Sequence, residues 1–190
     1  ASITASPNLS SAQYTYSFDE WDSVPDSVTS DCTIYARFAR KINYYDLNFS
    51  VTSDVDTNNG LGGYISDGSY QVSSVRDIAY GATIMASGNI LYIYPCDEDT
   101  IHTSTEIYYA EINPGYEFTK YQYKYTAGGW NDLSSGITLT GDLSIRAVFT
   151  PILYNLPLSF IANSAGEYRT DERIEFTIES TNTVLYTDIS

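Results

Sequence analysis

Leu139-Thr140-Gly141-Asp142-Leu143-Ser144-Ile145-Arg146-Ala147-Val148-Phe149 decides the architecture of this chain. A polar turn centred on Asp142 leads into a run whose alternate residues are apolar, the period-two pattern of a strand with one buried face. The same character stands 111 residues earlier, Val28 taking the place of Leu139, in Val28-Thr29-Ser30-Asp31-Cys32-Thr33-Ile34-Tyr35-Ala36-Arg37-Phe38. Each phrase follows an aromatic-rich strand and a Trp, Trp21 in the first case and Trp130 in the second. A unit that recurs is the mark of an array. On this reading Ile34 and Ile145 sit in like surroundings, and Cys32 fills the core slot that Leu143 fills in the other copy.

Strands extend outward from both phrases. Tyr14–Phe18, Thr33–Phe38, Asp46–Val51, Ile90–Tyr94, Glu106–Ile112, Ser144–Phe149 and Ile174–Ile178 all alternate with period two and are rich in β-branched and aromatic residues. Nineteen Tyr and seven Phe suit a pleated surface with one face in the core and one wet. Turn chemistry separates the runs at Val24-Pro25-Asp26, Asn58-Asn59-Gly60, Ser66-Asp67-Gly68, Ser87-Gly88-Asn89, Asn113-Pro114-Gly115 and Ala127-Gly128-Gly129. No segment carries a helical stripe of a dozen residues, and Val75–Tyr80 reads as a strand running into a turn at Gly81. The expected class is all-β, mainly antiparallel, built of tandem small β modules with little helix. Residues 1–40 read as the closing half of a first unit and 41–150 as a complete second unit. Residues 151–190 then open a further β module, and the chain reads as a piece of something longer.

Several phrases in order resemble a known family. Tyr14-x-Tyr16-x-Phe18-x-x-Trp21, the turn at Pro25 and Val28-Thr29-Ser30-Asp31-x-Thr33-Ile34-x-Ala36-x-Phe38 are similar to the closing half of the Listeria–Bacteroides repeat, also called the InlB B-repeat, in its divergent form. Tyr80-Gly81-Ala82-Thr83-Ile84, Ser87-Gly88-Asn89-Ile90-Leu91, Pro114-Gly115-Tyr116-Glu117-Phe118-Thr119-Lys120 and Thr140-Gly141-Asp142-x-x-Ile145 resemble successive parts of the same module. Two departures stand out. The family's Trp after the Phe is Tyr121 here, and Tyr121 to Leu139 spans 18 positions against 7 from Trp21 to Val28, an excess of eleven. The excess places a lengthened hairpin at about 123–137, carrying Trp130. The resemblance implies a β-grasp-like or related module strung in tandem on microbial or phage surface proteins, as stalk or adhesion element. It also implies an extracellular, cell-surface or virion-surface location, with neighbouring modules of the same assembly as partners and a host-surface protein or glycan as the target.

Charge narrows the partners. Twenty-four Asp and Glu face nine Lys and Arg, a formal net charge of -15 and a pI near 4.1. Such a surface repels phosphate backbones and anionic lipid, which excludes nucleic acid and a membrane surface as expected partners. No apolar run approaches the ~20 residues of a spanning helix. Cys32 and Cys96 are the one pair a disulfide would join, with two buried thiols as the alternative.

Catalytic signals are sparse. The single His, His102, stands in a polar connection with no nucleophile elbow and reads as a surface residue. Zinc needs more His or Cys than the chain has. Gly60-Leu61-Gly62-Gly63 lacks the helix and Lys of a phosphate loop. Asp54-x-Asp56-x-Asn58 offers oxygen ligands at the spacing that opens a Ca²⁺ loop, yet the sixth position is Asn59 and the twelfth Ile65, where Gly and Glu are needed. A polar hairpin tip is the plainer reading, and no cofactor is expected. Trp130, with Tyr123 and Tyr125, is the candidate contact surface for a sugar or partner. The expected function is a non-enzymatic structural or adhesive module, with carbohydrate binding through exposed aromatics as the alternative.

Overall fold

A computed structural model describes residues 5–7, 10–53, 62–152, 173–178 and 183–188. The chain divides into two units, Ala1–Leu153 and Tyr154–Ser190. Each of the seven runs read as strands holds a strand, the one expected from Thr33 beginning only at Tyr35, and no helix occurs among the described residues. The fold is all-β. In the second unit, β13 (Arg173–Ile178) and β14 (Thr183–Asp188) form an antiparallel pair with Phe176 opposite Leu185. The Ca²⁺-loop candidates Asp54, Asp56 and Asn58 lie outside the described residues.

The first unit is a two-sheet sandwich preceded by a hairpin. The hairpin pairs β1 (Tyr14–Asp22) with β2 (Tyr35–Ile42). One five-stranded sheet contains β3 (Tyr44–Ser53), β5 (Ser74–Ala79), β9 (Tyr116–Tyr125), β10 (Asn131–Asp132) and β12 (Leu143–Pro151), in the order β10-β9-β12-β3-β5. The other contains β4 (Gly63–Ser66), β6 (Thr83–Ser87), β7 (Ile90–Tyr94), β8 (Glu106–Ile112) and β11 (Ile137–Thr138), in the order β11-β6-β7-β8-β4. Pairing is antiparallel except between β12 and β3, which run parallel with Ile145 opposite Phe49 and Ala147 opposite Val51. The second sheet covers the sheet that holds the parallel pair.

Alternation explains the burial. Along β12 the side chains of Leu143, Ile145, Ala147 and Phe149 enter the core. Across from them Leu91 and Ile93 of β7, and Tyr108 and Ala110 of β8, fill the other inner face. Phe49 and Tyr108 bridge the two sheets with ring centroids 5.1 Å apart. The extra residues at 123–137 cross from one sheet to the other. Their first part pairs β10 with β9, and Leu133 and Leu139 are then buried before and after β11 joins β6. Gly62 and Gly63 lie directly over the Phe149 ring, where a Cβ on either would come within 3 Å of it.

The two hairpins β1–β2 and β9–β12 share one pairing scheme. Tyr16 faces Arg40 as Tyr116 faces Pro151; Phe18 faces Phe38 as Phe118 faces Phe149; Trp21 faces Ala36 as Tyr121 faces Ala147. Each hairpin has its register shift immediately after the Phe of its first strand, leaving Asp19 unpaired in one and Thr119 in the other. The ring geometry repeats as well. Phe18–Phe38 centroids lie 6.1 Å apart at 80°, and Phe118–Phe149 lie 6.1 Å apart at 79°. Phe18–Trp21 is 5.4 Å at 56°, and Phe118–Tyr121 is 5.0 Å at 55°.

Their surroundings differ, which corrects the expectation for Ile34 and Cys32. Ile145 is 0 % exposed at the centre of a sheet, whereas Ile34 is half-buried and precedes the strand. Cys32 is exposed, unlike Leu143. The cause is coverage. β12 has β9 on one side, β3 on the other and a second sheet over its face, while β2 pairs only with β1 among the described residues.

Asn43, the single residue between β2 and β3, fixes the hairpin to the sandwich. Its side-chain amide donates to the carbonyls of Ser11 (3.0 Å) and Ala12 (2.9 Å), and its Oδ1 accepts from Thr15 Oγ1 at 2.6 Å. Its backbone bonds Gln13 on one side and Tyr80 on the other. Tyr14 Oη donates to Glu98 at 2.8 Å, and the Arg40 guanidinium lies 4.6 Å from the Tyr14 ring centroid.

Candidate functional site

Trp130 sits on the outer face of the sheet formed by β10, β9 and β12. Strand alternation puts Lys120, Gln122 and Lys124 of β9 on that face and sends Tyr121, Tyr123 and Tyr125 to the core side. The Trp130 ring receives the Arg146 guanidinium at 4.3 Å and the Lys124 ammonium at 4.8 Å from its centroid. Gln122 joins the group by accepting from Arg146 Nε at 2.9 Å and donating to Asp132 Oδ1 at 2.6 Å. Lys120 completes it with an ion pair to Asp132 at 3.0 Å. The Gln122 hydrogen bond, reinforced by Lys120, holds the exposed Asp132 carboxyl below the ordinary carboxylate range.

The structure separates the three residues read as one contact surface. Tyr123 and Tyr125 pack edge to face, 6.4 Å apart, against the core, and Tyr125 Oη donates to the Thr138 carbonyl at 2.9 Å. Trp130 lies across the sheet from them. Its indole binds the chain's own cations, each such contact contributing about 0.5–1 kcal/mol at an exposed site. Three of the nine Lys and Arg residues gather here in a chain of net charge -15.

The other sheet carries an exposed apolar row on its outer face that sequence reading did not single out. Met85, Tyr92 and Ile107 lie opposite one another across β6, β7 and β8. Tyr94 stacks beside Tyr92 with centroids 6.0 Å apart and planes 16° apart. The signal was in the alternation: Leu91 and Ile93 are the core residues of β7, so Tyr92 and Tyr94 take the opposite face.

His102 is also more engaged than a surface His. Its ring is half-buried, with Nδ1 paired to the Glu106 carboxylate and Nε2 donating to the Arg76 carbonyl at 3.0 Å. Glu106 also accepts from Tyr108 Oη at 2.5 Å, and burial, aided by that carboxylate, pushes the Tyr108 hydroxyl's pKa upward. Buried Asp99 shapes the loop by accepting the Ile101 and His102 amides at 2.9 Å. Burial alone pulls the imidazole's pKa down, but Glu106, the Arg76 carbonyl and the Asp99 charge outweigh it, and the net shift is upward. A pKa raised by folding means that protonated His102 stabilises the fold below about pH 6.5, the unfolded value. That contribution is lost as pH rises through the higher folded value. The stability advantage of the native chain over His102→Gln, measured by urea unfolding, is therefore expected to shrink between about pH 6 and 8. An advantage that grows with pH would show that the neutral ring is the favoured form.

Cys32 and Cys96 are both free thiols. Among the described residues no group of three or more His, Cys, Asp or Glu side chains is placed to hold a metal ion. Gly62 and Gly63, in the glycine-rich run that lacks the helix and Lys of a phosphate loop, serve close packing on Phe149. Comparison of the chain with protein-family models, curated proteins and solved structures finds no match in any of the three. The resemblance to the Listeria–Bacteroides repeat thus rests on the quoted motifs alone.

Proposed function

We propose that this chain is a non-enzymatic architectural module of an extracellular or virion-exposed fibre or surface protein, in which β units follow one another in tandem. The observation that carries this reading is the hairpin that occurs twice with one register, one bulge position and one ring geometry. An array needs joints of fixed geometry, and the bonds gathered at Asn43 supply one between a closing strand and the strand that opens the next body. The acidic surface favours an exposed, well-solvated setting. Neighbouring modules are the primary partners on this reading. Immunogold electron microscopy of the source cells and particles, with an antibody to this chain, tests it. Label along extended fibres or projections is expected; label confined to the cytoplasm would contradict the proposal.

Carbohydrate recognition is the second reading, supported by exposed Tyr94 stacked on half-buried Tyr92 and by exposed Met85 and Ile107 beside them, rather than by Trp130. Glycan-array binding lost on Tyr94→Ala and retained on Trp130→Ala would favour it.

A further inference from the structure

We propose that the apolar face and outer edge of the β1–β2 hairpin receive the β3-to-β8 segment of another repeat unit, whose first strand inserts parallel to β2. The inference deepens the tandem-module reading and rests on it. Its template lies within the molecule. Phe149, the counterpart of Phe38, is 0 % exposed, while Phe38 is 37 % and Phe18 40 % exposed. What makes the difference at Phe149 is β3 alongside β12 and the sheet containing β4, β7 and β8 above it. The shared register states how such a segment would sit at β2. A residue of the Phe49 type falls opposite Ile34, one of the Val51 type opposite Ala36, and one of the Ser53 type opposite Phe38.

The Asp of the repeated turn acquires a role in this arrangement. Asp142 Oδ1 accepts the backbone amide of Asp46, the residue before Leu47, and so ties the entering end of β3 to β12 at 3.1 Å. Asp31 holds the same place in the first phrase and is exposed. It is the positioning residue for the incoming strand. Cys32, Thr33 and Ile34 lie outside β2 although their counterparts Leu143, Ser144 and Ile145 belong to β12. Pairing with a β3-type strand would extend β2 through them.

The test uses the full chain, extended by a second copy of residues 43–112 placed ahead of Ala1, so that the native residues before β1 act as tether. Amide hydrogen exchange at Ile34, Ala36 and Phe38 is compared with the unextended chain. Slowing of about 100-fold is expected, cancelled by Phe38→Ser and weakened by Asp31→Ala in the extended chain. Phe38→Ser in the unextended chain serves as control, since the side chain is already exposed there. Exchange within about threefold of the unextended value, an added segment that stays unfolded, or slowing that survives Phe38→Ser would overturn the proposal. So would concentration-dependent protection of the unextended chain, which would make the occupant a second hairpin. Each of these results leaves the microscopy result for the fibre location unchanged, so the two proposals fail separately.

Discussion

Phe149→Ala is expected to lower the stability of the sandwich by about 3–5 kcal/mol, whereas Phe38→Ala lowers it by only about 1 kcal/mol. The two residues share a register position and a T-shaped Phe partner at 6.1 Å. They differ in what lies over them. Phe149 is closed in by Phe118, by the Gly62–Gly63 backbone and by the packed inner face, so truncation leaves a cavity that the flanking strands cannot close. Phe38 faces solvent on one side, and its removal forfeits mainly the edge-to-face contact with Phe18. Urea unfolding followed by far-ultraviolet circular dichroism measures both variants. Equal losses would mean that the two hairpins are equally enclosed.

Gly63→Ala is expected to cost about 3 kcal/mol, at the upper end for an overpacked site. A Cβ at Gly63 would stand 2.0 Å from the Glu111 carbonyl oxygen and 2.6 Å from the Phe149 ring. The ring can turn only into space already filled, and the carbonyl belongs to the β4–β8 ladder in which Gly63 faces Ile112. Relief would have to come from lifting β4 off β8. For a unit of this size the loss corresponds to a fall in melting temperature of roughly 6–12 °C. Gly129→Ala is the control, because a Cβ there meets nothing within 4 Å; its melting temperature is expected to stay within about 2 °C of the native value. Calorimetry distinguishes the outcomes, and a Gly63→Ala protein that melts with the native one would show that β4 rests more loosely on Phe149.

What the sequence disclosed was what depends on local periodicity. Strands such as Ile90–Tyr94 and Glu106–Ile112 were legible because burial of one sheet face writes alternation directly into the chain. The likeness of the two phrases extends to the pairing of Phe18 with Phe38 and Phe118 with Phe149 but not to their surroundings. Environment was not legible. Ile34 and Ile145 stand in phrases of like character, but only long-range pairing with β3 and the sheet above it makes one of them core. The parallel β12–β3 pair escaped for the same reason, since its two strands are joined through the whole of the intervening unit. At the candidate site the sequence grouped Trp130 with Tyr123 and Tyr125, and the structure places it on the opposite face of the sheet from them. Trp130 precedes β10, and the pleat places it opposite Lys124 and Arg146 rather than beside Tyr123 and Tyr125. His102 looked solvated because Glu106 and Arg76, which hold it, come from two different sheets.

Residue-resolved amide hydrogen exchange under native conditions tests most directly whether one hairpin occurs here twice, once enclosed and once open. Along β12 from Leu143 to Phe149, where β9 and β3 flank the strand, protection is expected at every amide. Along β2 from Tyr35 to Ile42 it is expected only at alternate amides, those turned toward β1. Unbroken protection along β2, or alternation along β12, would contradict the account.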